Sequence, residues 1–323
     1  MTYVDLFQPA TYLKGPYVQT ILASNRARAW GKNPMVKTAR EMIIDAGDGI
    51  RLQGFFSPQT NAEPKGLVIL LHGWEGSAES SYVLGTGRYL YTHGYAVFRL
   101  NFRDHGESHH LNKGLFFASL LGEVFNAVRR VSLLVEDVPV FLVGFSLGGN
   151  FALRISKRCS EDHIENLMHV VAISPVLDPD KSTRVLDSNW FFRWYFLNKW
   201  RQSLKKKQTL FPEIYDFTEV LSINTCRGVT EALISRYSPY KGIKDYFERY
   251  TITGDALGYL HLPTTIITSK DDPLIPVEDF YQLKLGDTTN LLINSYGGHN
   301  GFIERLPNTF WYERKLFEIF EKF

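Results

Sequence analysis

Apolar positions in this chain follow two rhythms. Uninterrupted runs recur at residues 66–71, 95–100, 139–143, 168–173, 264–268 and 291–293. Such runs predict strands covered on both faces, as in a parallel sheet. Between them, residues 80–92, 118–135, 147–157 and 307–320 carry apolar positions at helical spacing, and Gly94 follows the first as a helix terminator. Two further apolar segments, 42–44 and 52–56, flank Gly47-Asp48-Gly49 and predict a hairpin. Together the segments predict an α/β architecture around a mostly parallel, eight-stranded sheet flanked by helices.

One interval breaks the rhythm. Residues 176–260 show no strong strand and mix aromatic with basic residues. An insertion this long cannot be a bare loop in a compact domain, so it predicts a helical cap over one end of the sheet. The expected division is a core of residues 1–175 and 261–323, with 1–39 as an N-terminal extension, and a cap of 176–260.

Composition narrows the function classes. The 323 residues are 44% hydrophobic and 22% charged, which are globular values. Lys and Arg number 36 against 34 Asp and Glu, so no basic excess points to nucleic acid. Cys159 and Cys226, the two cysteines, make no disulfide framework and fit a reducing compartment. The start, Met1-Thr2-Tyr3-Val4-Asp5, lacks the basic and apolar regions of a signal peptide, and no run approaches the length of a membrane span. The expectation is a cytoplasmic protein.

The sharpest motif is Gly144-Phe145-Ser146-Leu147-Gly148-Gly149-Asn150, after a strand run and at the start of a helical pattern. A serine on a tight strand-to-helix turn has its hydroxyl pushed into the open, and its neighbours two positions away must be small. Gly144 and Gly148 meet that need. Ser146 is the expected nucleophile. The first strong strand ends in His72-Gly73-Trp74-Glu75-Gly76. This turn suits a second oxyanion donor, so the backbone N–H groups of Trp74 and Leu147 are the expected pair. His72, Gly73 and Gly76 are read as supports of the turn.

A base and an acid follow in the order serine, acid, histidine. Ser295-Tyr296-Gly297-Gly298-His299-Asn300-Gly301 places a histidine in a glycine-rich loop that can bend back over the serine. A free histidine titrates near pH 6.5, so His299 can take the serine's proton and return it. After the insertion, Lys270-Asp271-Asp272-Pro273 ends a strand. Asp272, directly before the proline, is preferred as the acid, with Asp271 the alternate. His105, His109 and His110 crowd one polar loop; a metal site would also need ligands from elsewhere, and a polar loop at the end of a strand explains them as well, so neither metal nor cofactor is expected. His93, His163, His169 and His261 read as loop or helix-end residues without a role.

These motifs together resemble the α/β-hydrolase fold and, within it, the YheT-like group (the AB hydrolase 4 family) of esterases. The resemblance covers nearly the whole chain. It includes Gly15-Pro16-Tyr17-Val18-Gln19-Thr20, where Gly15 and Tyr17 stand in place of the group's usual Asn and His. It implies a serine hydrolase acting on carboxylic esters.

The insertion also bears on substrate. Residues 189–200 hold seven aromatics that do not keep to one helical face, and Lys205-Lys206-Lys207 follow. They can pack the cap, line an acyl pocket over Ser146, or touch a membrane surface weakly. The expected partner is a small-molecule ester with an apolar acyl part; thioesters and lysophospholipids stay open. The rival readings are a non-catalytic lipid- or small-molecule-binding module on the same fold, and a different reaction on the same three residues.

Overall fold

The computed structural model describes residues 7–25, 28, 31–60, 62–306 and 309–323. The opening residues 1–5, read above against a signal peptide, and Pro307, the expected start of the last helix, lie outside them.

The sheet has eight strands: β1 (Arg40–Asp45), β2 (Arg51–Ser57), β3 (Leu67–Leu71), β4 (Ala96–Leu100), β5 (Val140–Phe145), β6 (Leu167–Ile173), β7 (Thr264–Ser269) and β8 (Thr289–Asn294). Their spatial order is β1-β2-β4-β3-β5-β6-β7-β8. The β1–β2 and β2–β4 pairs are antiparallel and the remaining pairs parallel, so β2 alone runs against the rest. Alternation along each strand splits the core into two layers. Leu67, Ile69 and Leu71 of β3 join Val140 and Leu142 of β5 on one face. Val68 and Leu70 join Phe141, Val143 and Phe145 on the other. A continuous apolar run is therefore what two covered faces require.

Eleven helices are described. α1 (Pro16–Ala23) and α2 (Pro34–Thr38) precede the sheet. α3 (Ser81–Thr92), α4 (Leu121–Ser132) and α5 (Leu147–Arg158) connect its strands. α6 (Pro179–Ser188), α7 (Trp190–Leu210), α8 (Cys226–Tyr237) and α9 (Ile243–Glu248) lie between β6 and β7. α10 (Glu278–Tyr281) and α11 (Trp311–Phe320) complete the chain. None of the described helices is long and apolar enough to cross a membrane.

Three of the helices after β6, α6, α7 and α8, enclose a third apolar cluster. Leu186, Phe192, Leu197 and Leu233 meet Ala172, Ile266 and Ile293 of the sheet there. Asn150 secures this segment at both ends, because its Nδ2 donates to the carbonyls of Val176 and Tyr250, each at 2.8 Å. Lys207 pins the far end of α7. Its ammonium is buried and donates to Asp104 Oδ1 (2.7 Å) and to the carbonyls of Asn112 (2.6 Å) and Gly114 (3.1 Å).

Three expectations need correction. The helix predicted over 118–135 spans only Leu121–Ser132. Ala118 is drawn out of it because its N–H donates to Tyr246 Oη and its carbonyl accepts from Arg154. The last helix begins at Trp311, since Thr309 and Phe310 pair with residues 303–305 as a short antiparallel ladder. His169 is no loop residue: it lies inside β6, buried, with Nε2 on Thr265 Oγ1 at 3.0 Å.

Candidate active site

Ser146 stands between β5 and α5 with φ +54° and ψ −114°. A non-glycine residue at positive φ costs of order 1–3 kcal/mol and persists only where its surroundings impose it. Here they do. The Ser146 N–H donates to the Ile173 carbonyl at 2.9 Å, and its own carbonyl accepts from Asn150 N–H at 3.0 Å. A Cβ at Gly144 would sit 2.1 Å from the Gly148 carbonyl oxygen, and one at Gly148 would sit 2.5 Å from the carbonyls of Leu71 and His72. Strand, helix and the turn after β3 thus converge too closely for any side chain, and the serine is left on the outside of the bend.

The turn after β3 is bonded through nearly every donor. Gly73 N–H donates to Tyr82 Oη (2.9 Å), Glu75 N–H to His105 Nε2 (3.2 Å) and Gly76 N–H to the Gly73 carbonyl (3.0 Å). Trp74 N–H finds no acceptor among the described residues, and neither does Leu147 N–H at the start of α5. His72 holds the turn: Nδ1 donates to the Gly73 carbonyl (2.7 Å) and Nε2 accepts from Phe102 N–H (3.2 Å). Both bonds fix a neutral tautomer, and burial pushes this imidazole well below the usual histidine range. His105 is likewise buried and lowered to about 4, with Nδ1 on the Arg103 carbonyl. Its loop neighbour His109 points elsewhere, to Ser203 Oγ at 2.8 Å.

The two aspartates after β7 divide their work. Asp272 Oδ2 meets His299 Nδ1 at 2.8 Å, and its Oδ1 accepts from the N–H groups of Leu274 (2.8 Å) and Ile275 (3.0 Å). Its side chain is fully buried and that of His299 nearly so. Asp271 turns the other way. Its Oδ1 accepts from Gly298 N–H at 2.9 Å, and burial raises its carboxyl above the usual range. Of the two carboxylates, Asp272 faces the histidine while Asp271 carries the loop.

The histidine loop also rests on α1, which sequence reasoning missed. His299 N–H donates to Thr20 Oγ1 (2.9 Å). Gln19 Nε2 donates to the carbonyls of Leu13 (2.8 Å) and Ile303 (3.0 Å), and its Oε1 accepts from Ile303 N–H (2.8 Å). Gly298, at φ +52°, lies so near α1 that a Cβ would come 2.5 Å from the Pro16 carbonyl. The Gln19-Thr20 pair was visible as part of the N-terminal motif; its partner loop, some 280 positions away, was not.

Ser146, Leu147, Trp74, Gly73 and His299 all line one cavity of about 630 Å³. No hydrogen bond joins the described side chains of Ser146 and His299; such contacts are often long before substrate binds. Phe117, Leu186, Leu233 and Phe247 supply an apolar wall, and Tyr195, Phe196, Lys199 and Trp200 of α7 form another side. Glu75 lines the cavity beside the oxyanion turn, and burial raises its carboxyl to about 8, against the lowering influence of Lys199.

The strand order, the strained serine between β5 and α5 and the histidine loop after β8 define the α/β-hydrolase fold. Residues 62–284 match the Hydrolase_4 family (serine aminopeptidase, S33), and the chain belongs to that family, as a member of its YheT-like group of hydrolases. Phospholipase ABHD3 of Homo sapiens is 24% identical over 301 residues, 89% of this chain and 72% of that one. The protein named "Putative esterase YheT" of Escherichia coli (strain K12) is 22% identical over 283 residues, 86% of this chain and 82% of its own. The structure of the Pyrococcus furiosus esterase Pf2001 superposes with a TM-score of 0.57 at 17% identity, covering 100% of this chain and 97% of that one.

Proposed function

We propose that this hydrolase cleaves carboxylic esters through an acyl-enzyme on Ser146. The observation that carries the reading is that His299, held by Asp272, lines the same cavity as the strained serine. Ser146 Oγ attacks the ester carbonyl while His299 Nε2 takes its proton. The oxyanion is held by the N–H groups of Trp74 and Leu147, each such donor being worth about 10²–10³ in rate. Collapse expels the alcohol, which receives the proton from His299. Water, deprotonated by the same imidazole, then attacks the acyl-enzyme and frees the acid and Ser146. Asp272 keeps Nδ1–H in place and stabilises the imidazolium.

The acyl part is apolar, because aromatic and aliphatic side chains dominate the wall beside Ser146. Relatives named a phospholipase and an esterase agree with that class. In this reading the helices between β6 and β7 act as the cap over the site. Two free, buried thiols suit a cytoplasmic enzyme.

A fluorophosphonate probe tests the nucleophile: the wild type takes the label and Ser146→Ala does not. Equal labelling of both, or of neither, overturns the reading. A series of p-nitrophenyl esters of increasing acyl length then measures the pocket, with kcat/KM rising from acetate towards medium chains.

A further inference from the structure

α1 is built inside out. Its polar residues Gln19 and Thr20 face inward, buried, where they hold the His299 loop. Three of its apolar residues face water instead: Tyr17 is 47% exposed, Val18 41% and Ile21 48%. An amphipathic helix at a protein surface ordinarily shows the reverse. Across from it, the first turns of α7 carry Trp190 and Trp194, one turn apart and 72% and 58% exposed. The two helices are joined. The Tyr17 ring stacks on Phe192 with centroids 5.7 Å apart, and Asn189 Nδ2 donates to Tyr17 Oη at 3.0 Å. The exposed side chains therefore make one patch rather than scattered surface residues.

The patch borders the cavity. Ser24, exposed and directly after α1, lines the cavity, as does Tyr195, the neighbour of Trp194. The charge is one-sided. No charged residue occurs from Gly15 to Asn25, and α7 has no acidic residue; near its exposed tryptophans it carries Arg193 and Lys199, while further along Lys206 pairs with Glu107 and Lys207 is buried on Asp104. Tryptophan and tyrosine beside basic side chains suit the boundary between headgroups and acyl chains, where the ring is buried and its polar edge stays wet.

We propose that α1 and the start of α7 form a membrane-contacting surface that seats the cavity entrance on an anionic lipid bilayer. An apolar substrate then passes from the lipid into the cavity without crossing water. This transfer rests on the ester-hydrolase reading; the contact with lipid does not.

The test is flotation of the full chain with vesicles of phosphatidylcholine, alone or mixed with phosphatidylglycerol. The wild type floats with the mixed vesicles and less with phosphatidylcholine alone. Trp190→Ser/Trp194→Ser and Val18→Ser/Ile21→Ser each lower the bound fraction about tenfold. Both variants hydrolyse a short soluble ester within about twofold of wild type, which shows they fold, yet lose turnover on vesicle-borne ester. Ser146→Ala floats like the wild type, so binding is read independently of chemistry. A wild type that stays unbound with both vesicles, or variants that float unchanged, overturn the proposal. A wild-type dimer that the same substitutions dissociate, with no flotation, overturns it in favour of a second copy of the chain.

Discussion

Thr20 Oγ1 accepts the backbone N–H of His299 at 2.9 Å, although 279 positions separate the two residues. Thr20 Oγ1 in turn donates to the Pro16 carbonyl at 2.7 Å, so one hydroxyl ties the histidine loop to α1. Thr20→Val keeps the shape and removes the acceptor, which leaves a buried N–H unpaired at a cost of about 1–3 kcal/mol. The expected outcome is a fall in kcat of about tenfold or more with KM little changed, and recovery in Thr20→Ser. Steady-state kinetics on a soluble ester checks this. A loss confined to thermal stability, with kcat intact, would show the bond to be structural only.

The two aspartates predict opposite phenotypes. Asp272→Asn offers His299 Nδ1 an amide in place of a carboxylate and can stabilise the wrong tautomer, so kcat falls by about 10⁴. Asp271→Asn keeps an oxygen for Gly298 N–H and retains most of the activity. Comparing the two turnover rates decides the matter, and a dead Asp271→Asn beside an active Asp272→Asn reverses the assignment.

Glu75 introduces a pH dependence. Its carboxyl is raised from 4.5 to about 8, chiefly by burial, so the neutral form persists through pH 7. The folded chain then holds a proton that the unfolded chain has released. This contribution to stability declines as pH climbs from the ordinary glutamate range through pH 8. In the proposed reaction, ionised Glu75 would also oppose the negative charge that develops beside Trp74. Ester turnover is expected to drop as pH passes through about 8. In Glu75→Gln that limb flattens. A pH–rate profile of both proteins, with identical limbs, would remove Glu75 from the account.

Lys207 and Asp104 form a buried ion pair, with side chains 1% and 7% exposed. Burial still pushes Asp104 up to about 6 despite the ammonium. Lys207→Met leaves that carboxyl without a cation, which costs about 3–5 kcal/mol, whereas pairing it with Asp104→Asn restores much of the loss. Urea unfolding of the single and double variants measures both. Additive losses would mean that the two groups do not act as a pair.

Much of the framework could be read from order along the chain. A continuous apolar run states a strand covered on both faces, because no polar atom can be left there unpaired. Glycines two positions either side of Ser146 state a close approach of backbones, because nothing larger fits. These are local constraints, written wherever the chain bends or is buried. The cavity needs more than that. That Asp272 rather than Asp271 meets His299, that Trp74 N–H is left open when its neighbours are bonded, and that Gln19 and Thr20 turn inward under the histidine loop all follow from meetings between distant segments. Sequence order names the groups able to meet. Only the packing of β3, β5, β7 and α1 into one body decides which do, since a hydrogen bond needs its partner within about 3 Å, and no local pattern encodes that distance.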